Sequence, residues 1–366
     1  MADYFVVVTP GVEPITLLEC QRLGLDAQVE VGGVTIKGGP DVMYRANYYL
    51  RTANRVLARV GQPFMARTFE ELGQKAAALP WENWITPNCA LQFHVSSSRS
   101  KLLHTGVIAK FVARAIQKRL QTGEMVEGEP QGVHIRIHED KVTISLDSSG
   151  ELLYRRGYRQ QVTKSPMRET LAAALILASG WDGRSALVDP FCGSGTIPIE
   201  AALIAKNIPA GAFRNFSFEH WPGFDKAAWK QVKQAGGSAA ETIPPIYGFD
   251  RDAGAIEISR ANADRAGVAG AITFACQAIS HFPAIGGTGW VVTNPPYGVR
   301  ISEGNDLRNL YAQMGKVLRA QAPGWNLALV TNDIRLSGHS GLRLENGAQV
   351  SNGGITTTFQ TCVIPQ

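Results

Sequence analysis

The 366 residues are 45% hydrophobic and 18% charged, a balance that fits a soluble globular protein of two or three domains and excludes fibrous and disordered classes. No apolar run reaches bilayer-spanning length, and the opening Tyr4-Phe5-Val6-Val7-Val8 reads as a first strand rather than a secretory signal. The net charge of +5 is mild, and five scattered cysteines without a C-x-x-C pair argue against zinc and disulfides and for a reducing cytoplasm.

In chain order, a strand over 4–9 passes through Pro10-Gly11 to a helix over 13–23. A strand pair around Gly32-Gly33, a helix over 41–52 and a strand over 55–60 follow. This βαββαβ order predicts a ferredoxin-like unit over 1–60. A connecting helix near 69–78 stops at Pro80. A strand (90–96), a long basic helix (101–121) and two further strands (133–138, 141–146) then make a second small α/β unit within 61–150.

Two basic runs stand out. Ser98 to Leu120 holds Arg99, Lys101, Lys110, Arg114, Lys118 and Arg119 without an acid. Between Tyr154 and Arg168 lie Arg155, Arg156, Arg159, Lys164 and Arg168, again unbalanced. A basic run is often only a solvated face, but two of them upstream of a base-handling motif read as phosphate contacts to nucleic acid.

From about 165 onward helices alternate with strands near 185–189, 245–249, 271–275, 289–293 and 326–331, the pattern of a doubly wound parallel sheet. The β-branched run 353–363 adds a further, antiparallel strand. The first sheet strand ends in Asp189 and leads through Pro190-Phe191-Cys192-Gly193-Ser194-Gly195-Thr196 into a helix. Strand, glycine turn and helix let a cofactor approach the backbone. A dinucleotide fingerprint needs a third glycine where Pro198 stands, and the phosphate-gripping Gly-Lys-Ser/Thr loop is missing. Asp189 would repel a phosphate and suits an ammonium group. Asp250, at the tip of the next strand, is placed as a ribose-hydroxyl acceptor or as a helix N-cap, and 206–242 is an insertion between the two. Cys192 has no histidine beside it in the sequence, which argues against a covalent role.

The fourth sheet strand ends in Asn294-Pro295-Pro296-Tyr297. Two prolines cannot continue a ladder, so the chain leaves the sheet there. An amide, unpaired carbonyls and an aromatic ring are left at the strand end, a set suited to gripping a flat base by its exocyclic amine. An ordinary turn is the plain alternative.

The segments 189–196, Gly248-Phe249-Asp250 and 294–297, in that order, resemble class I S-adenosylmethionine-dependent amino-methyltransferases. Ser148 to Arg159, Ser165 to Ala174, Gly32-Gly33-Val34, Ala46 to Ala53, Pro80-Trp81-Glu82 and Phe218-Glu219-His220-Trp221 extend the resemblance over essentially the whole chain. It is to the THUMP-domain RNA guanine-N2 methyltransferases, in their bacterial large-subunit rRNA form. The resemblance implies a THUMP domain over 61–150 and a Rossmann-like methyltransferase domain over 151–366. It implies S-adenosylmethionine held by Asp189, Phe191, Gly193, Ser194, Gly195, Thr196, Asp250, Gln277 and Asn294, with Gln277 where the family more often has an acid. Asn294, Pro295, Pro296 and Tyr297 become the catalytic corner, and RNA (23S rRNA, or a tRNA) the partner, bound through Arg99, Lys101, Lys110, Arg114, Lys118, Arg155, Arg156 and Arg159, with no metal. Arg168 and Glu169 fall over the cofactor cleft or at a helix start, Phe218 to Trp221 against the base or in packing, and Arg300 on a phosphate. DNA adenine-N6 methylation and a noncatalytic RNA-binding role are the rival functions.

Overall fold

The computed structural model describes residues 2–87, 89–123, 127–161, 167–236, 240, 242–297 and 307–366. Lys164 and Arg300 lie outside them. The front end runs β1 (Ala2–Val8), α1 (Glu13–Arg22), β2 (Ala27–Glu30), β3 (Gly33–Gly38), α2 (Pro40–Tyr49), β4 (Ala53–Arg59), β5 (Phe64–Met65), α3 (Phe69–Ala77), β6 (Cys89–Ser98), α4 (Thr105–Leu120), β7 (Glu127–His138) and β8 (Lys141–Asp147). The first four long strands pair in the order β2-β3-β1-β4 of a ferredoxin-like unit. β6 and β7 are parallel, joined by the crossover helix α4.

These two units share one eight-stranded sheet, in which seven strands run in the order β2-β3-β1-β4-β8-β7-β6 and β5 pairs with β8 off that path. The joint is the antiparallel pair β4–β8, in register through Leu57↔Asp147, Ala58↔Leu146 and Arg59↔Ser145. Side-chain alternation explains it: Val56 and Ala58 on β4 and Ile144 and Leu146 on β8 are all buried, so both strands face one core. Arg59 therefore ends a strand without ending the sheet.

The second half runs α5 (Glu169–Ala178), β9 (Ala186–Asp189), α6 (Thr196–Ala205), α7 (Lys226–Gln234), β10 (Ile246–Asp250), α8 (Ala253–Arg265), β11 (Ile272–Cys276), β12 (Gly289–Thr293), α9 (Leu307–Gln321), β13 (Asn326–Thr331), α10 (Ile334–Gly338), β14 (Glu345–Asn352) and β15 (Ile355–Val363). Its seven strands are ordered β11-β10-β9-β12-β13-β15-β14. The strands from β11 to β13 are parallel, and β15 adds antiparallel beside β13, as the β-branched run predicts. The outer strand β14 has the polar sequence Glu-Asn-Gly-Ala-Gln-Val-Ser-Asn and carries no strand signal of its own. It forms because β15 offers it a ladder. β9 and β12 are neighbours from which the chain winds outwards in opposite directions, so the cleft beyond their carboxyl ends is the place for a ligand.

The insertion 206–242 packs against the front end. Phe218 is buried with its ring centroid 4.7 Å from that of Tyr44 on α2, and Trp229 on α7 meets both rings edge-on. Phe218 and Trp221, the latter edge-on to Trp84, thus belong to a packing aromatic cluster, while His220 between them is exposed.

Candidate active site

The glycine loop closes on itself because its backbone needs positive φ. Gly193 has φ +53° and Gly195 +82°. A Cβ on Gly195 would stand 3.0 Å from Ser259 Cβ and 3.3 Å from the Phe274 ring, so only glycine lets the loop sit this close to α8 and β11. Ser259 Oγ donates to Gly193 O (2.7 Å) and Asn262 Nδ2 donates to Ser194 O (3.0 Å), fixing the loop from behind. Thr196 opens α6, and Pro198 sits in that helix's first turn, where a missing N–H costs nothing. Phe191 is half-buried beside the second hydrophobic cluster, which includes Phe249. Burial raises the Cys192 thiol well above its ordinary range, leaving it an inert packing residue.

Asp250 receives the Gly193 N–H on Oδ2 (2.9 Å) and the Asp252 N–H on Oδ1 (3.0 Å). The N-cap of α8 is Asp252, whose Oδ1 accepts from Gly254 N (2.9 Å) and Ala255 N (3.4 Å). Capping is therefore not the work of Asp250, whose oxygens keep lone pairs for hydroxyl donors. Gln277 follows β11; its backbone N–H donates to Asp250 O (2.8 Å), and its side-chain Nε2 is buried without a hydrogen-bond partner among the described residues.

Asp189 is buried, and its Oδ1 accepts from Phe191 N (3.1 Å) and from Thr293 Oγ1 (2.6 Å). Burial, against those two hydrogen bonds, pushes its carboxyl up to about 7, with the neighbouring Asp250 adding to the rise. The Thr293–Asp189 bond ties the end of β12 to the end of β9, one strand away in register Val291↔Val188. The corner 294–297 thus starts beside the end of β9, the strand from which the glycine loop departs.

At that corner Asn294 Oδ1 is buried with no hydrogen-bond partner among the described residues. Pro296 O accepts from Tyr311 Oη on α9 (3.2 Å), and the Tyr297 hydroxyl accepts from Asn352 Nδ2 (3.1 Å). Pro295 lies between these held residues. Ser259, Asn262, Thr293, Tyr311 and Asn352 escape sequence reasoning. Thr293 closes a predicted strand and Asn352 precedes a Gly-Gly turn, but neither pattern says which side chain it meets.

Of the first basic run, Arg99, Lys101, Lys110, Arg114 and Lys118 are exposed. Lys110, Arg114 and Lys118 recur every fourth residue along α4, opposite the buried Ile108, Val112, Ala115 and Ile116. Arg99 lies 3.5 Å from Glu139, and Arg119 grips Glu82 through Nε (3.0 Å) and Nη2 (2.6 Å).

The second run is different, and two of its expected RNA contacts are corrected. Arg156 is 1% exposed; it donates to Leu153 O (2.7 Å) and to Arg51 O, with Nε 3.6 Å from Glu200 on α6. Arg159 has a side chain 11% exposed, donates to Met167 O (2.6 Å) and faces Glu169 Oε2 at 2.9 Å. Both guanidiniums are thus committed to internal partners, and Arg156 is closed off from solvent. Arg155 is exposed and paired with Glu151 (2.9 Å). Arg168 lies over the Tyr154 ring at 4.9 Å, and Glu169 is buried at the start of α5. Among the described residues no group of His, Cys, Asp and Glu could hold a metal ion, and no helix is long and apolar enough to cross a membrane.

A doubly wound sheet with a glycine cradle on one central strand and an Asn-Pro-Pro-Tyr corner on the next defines the methyltransferase class. Family models match in succession: the RlmL ferredoxin-like domain over residues 3–57, the THUMP domain over 66–147 and the RMKL-like methyltransferase domain over 156–360. The chain belongs to this RMKL-like methyltransferase family. "Ribosomal RNA large subunit methyltransferase K/L" of Methylococcus capsulatus is 33% identical over 369 residues, 96% of this chain and 50% of that protein. The chain thus spans about half the length of that relative. "Putative RNA methyltransferase YpsC" of Bacillus subtilis is 33% identical over 98% of this chain and 96% of its own. The solved structure "Crystal structure of SMU.472, a putative methyltransferase complexed with SAH" superposes with a TM-score of 0.90 at 32% identity, covering 100% of this chain and 98% of that one.

Proposed function

We propose that this chain transfers a methyl group from S-adenosylmethionine to the exocyclic N2 amine of a guanine in RNA, with 23S rRNA as the substrate and a tRNA guanine as the alternative. The observation that carries the reading is the unpartnered buried oxygen of Asn294 at the end of β12, one strand from the glycine cradle. A buried acceptor left unpaired costs free energy unless a ligand fills it.

The residues present fit the cofactor. The Gly193–Thr196 bend admits close backbone approach, Asp250 is oriented by Gly193 N–H with lone pairs left for ribose hydroxyls, and the unpaired Gln277 amide suits an adenine edge. Asp189, a buried acid poised near 7, gains its charge readily when an ammonium comes close. When bound, S-adenosylmethionine supplies a methyl group made electrophilic by its sulfonium.

The guanine amine is a poor nucleophile because its lone pair is delocalised into the ring. Asn294 Oδ1 and the Pro295 carbonyl, accepting its two hydrogens, favour a pyramidal nitrogen with its lone pair free. Pro296 and Tyr297 clamp the ring. The amine proton, acidified on alkylation, leaves to water, so no side chain has to be a strong base. Most of the acceleration is orientation, which supplies about 7–11 kcal/mol in favourable cases. A paired base cannot enter such a corner, so the target is flipped out or already unpaired. The exposed Lys101, Lys110, Arg114 and Lys118 suit the phosphate backbone, and rRNA as substrate implies a cytoplasmic enzyme.

Mass-spectrometric mapping of modified guanines in RNA from a deletion strain and its parent tests the reading. One N2-methylguanine is expected to vanish from 23S rRNA, return with the wild-type gene and stay absent with Asn294→Ala. In vitro, Asn294→Ala lowers turnover by at least about tenfold with little change in cofactor affinity. Methylation of DNA adenine instead, or tight cofactor binding with no methylated product, would overturn the proposal.

A further inference from the structure

The outer strand β14 touches two regions that are far apart in sequence. Near its middle its backbone meets the front end: a Cβ built on Gly11 would stand 1.7 Å from Gln349 O and 3.4 Å from Val350 Cα. Gly11, at φ +91° in the turn after β1, therefore lies directly against the strand. Val350 is 2% exposed and joins the core cluster that contains β1 and α2 residues. Three residues beyond Gln349, about 10 Å along an extended strand, Asn352 donates to the Tyr297 hydroxyl at 3.1 Å.

Asn352 is held in place on its other side as well. It pairs with Ile355 across a two-residue turn, Gly353-Gly354, whose φ values of +61° and +86° give the tight hairpin geometry that fixes register. Thr357 Oγ1 donates to Val350 O (3.1 Å) two residue pairs further in. The amide thus projects from a strand anchored at both ends, and its partner is the ring that must lie flat on the base.

We infer that Asn352 is a positioning residue for base methylation: through its hydrogen bond to the Tyr297 hydroxyl it sets the ring that clamps the flipped guanine, from a hairpin braced on Gly11 of the RNA-binding front end. This inference rests on the guanine-methylation reading and assigns part of its specificity to a residue outside the glycine loop and the Asn-Pro-Pro-Tyr corner. Losing one hydrogen bond of ordinary strength corresponds to about a fivefold to tenfold effect on rate.

The test is a double-mutant cycle in single-turnover methylation of an unpaired-guanine RNA, using the full chain. Asn352→Ala is expected to slow methyl transfer about fivefold to tenfold, leaving cofactor affinity and melting temperature unchanged. In a Tyr297→Phe background, where the hydroxyl is gone, the same substitution is expected to have no further effect. Asn352→Asp, which can accept a hydrogen bond from the phenol, should recover most of the rate. A loss of equal size in both backgrounds, or no loss in either, overturns the inference while the wild-type enzyme still methylates guanine. A wild-type chain that methylates no guanine overturns the reading beneath it instead.

Discussion

The two basic runs look alike as strings and behave in opposite ways. Lys110, Arg114 and Lys118 keep helical spacing on α4, and periodicity alone puts them on the side opposite Ile108, Val112 and Ile116. Arg156 and Arg159 sit in an irregular segment between the front end and the catalytic half, where no period says which way a side chain points. Their partners, Glu200 and Glu169, lie on helices of the catalytic half, and Arg156 also binds the Arg51 carbonyl of the front end. The lesson is that a charge run is a candidate RNA contact only where local geometry fixes its outward face. Elsewhere it can be the internal tie between two domains.

The largest expected effect comes from breaking the tie. Tyr158 Oη donates to Glu200 Oε1 (3.0 Å), and Arg156 is the cation beside that buried carboxylate. Arg156→Ala leaves Glu200 inside with only the Arg51 charge to balance it, a loss of up to about 3–5 kcal/mol in comparable buried pairs. Denaturant unfolding should show the loss as a lower midpoint. The fraction that remains folded should bind RNA as tightly as wild type, and a specific loss of RNA affinity would mean that the side chain does reach the nucleic acid.

The α4 face should respond the other way. Replacing Lys110, Arg114 and Lys118 together by alanine is expected to weaken RNA binding on the order of tenfold or more and to reduce the salt slope of log K by about 2–3, while melting stays close to wild type. An unchanged salt slope would move the phosphate track away from this helix.

The same contrast marks what the sequence made legible. The βαββαβ order, the strand ends at Asp189, Asp250 and Asn294, and the antiparallel run before Val363 all follow from local patterns of period, glycine and proline. The joint between β4 and β8, the polar strand β14, the cap at Asp252 and the Asn352–Tyr297 bond do not. Each depends on which of several equivalent surfaces meet, a matter of long-range packing. Asp252 shows how narrow the margin is: two acids two residues apart are equally good caps on paper, and only the Gly193 N–H, arriving from another strand, separates their roles.

The smallest expected effect sharpens the comparison through pH. Glu169 is buried, and although Arg159 Nη2 stands 2.9 Å away, Oε2 receives no aligned hydrogen bond. Burial raises its carboxyl from the ordinary 4.5 to about 7, with Arg159 opposing the rise. Between those two values the folded chain holds a proton that the unfolded chain has released. This contribution to stability is therefore fully present below about 4.5 and lost as pH rises through about 7. Asp189, raised to about 7 as well, adds a loss in the same window. Glu169→Gln keeps the shape and removes the titration, so its melting temperature should fall less steeply from pH 5 to 7.5 than that of wild type, by a few degrees at most. Arg155→Ala, which breaks only an exposed pair, should leave the pH profile where it was. Parallel profiles for wild type and Glu169→Gln would mean that Arg159 keeps Glu169 ionised across the whole range, and that the segment joining the two halves is a fully charged pair like any surface one, only hidden.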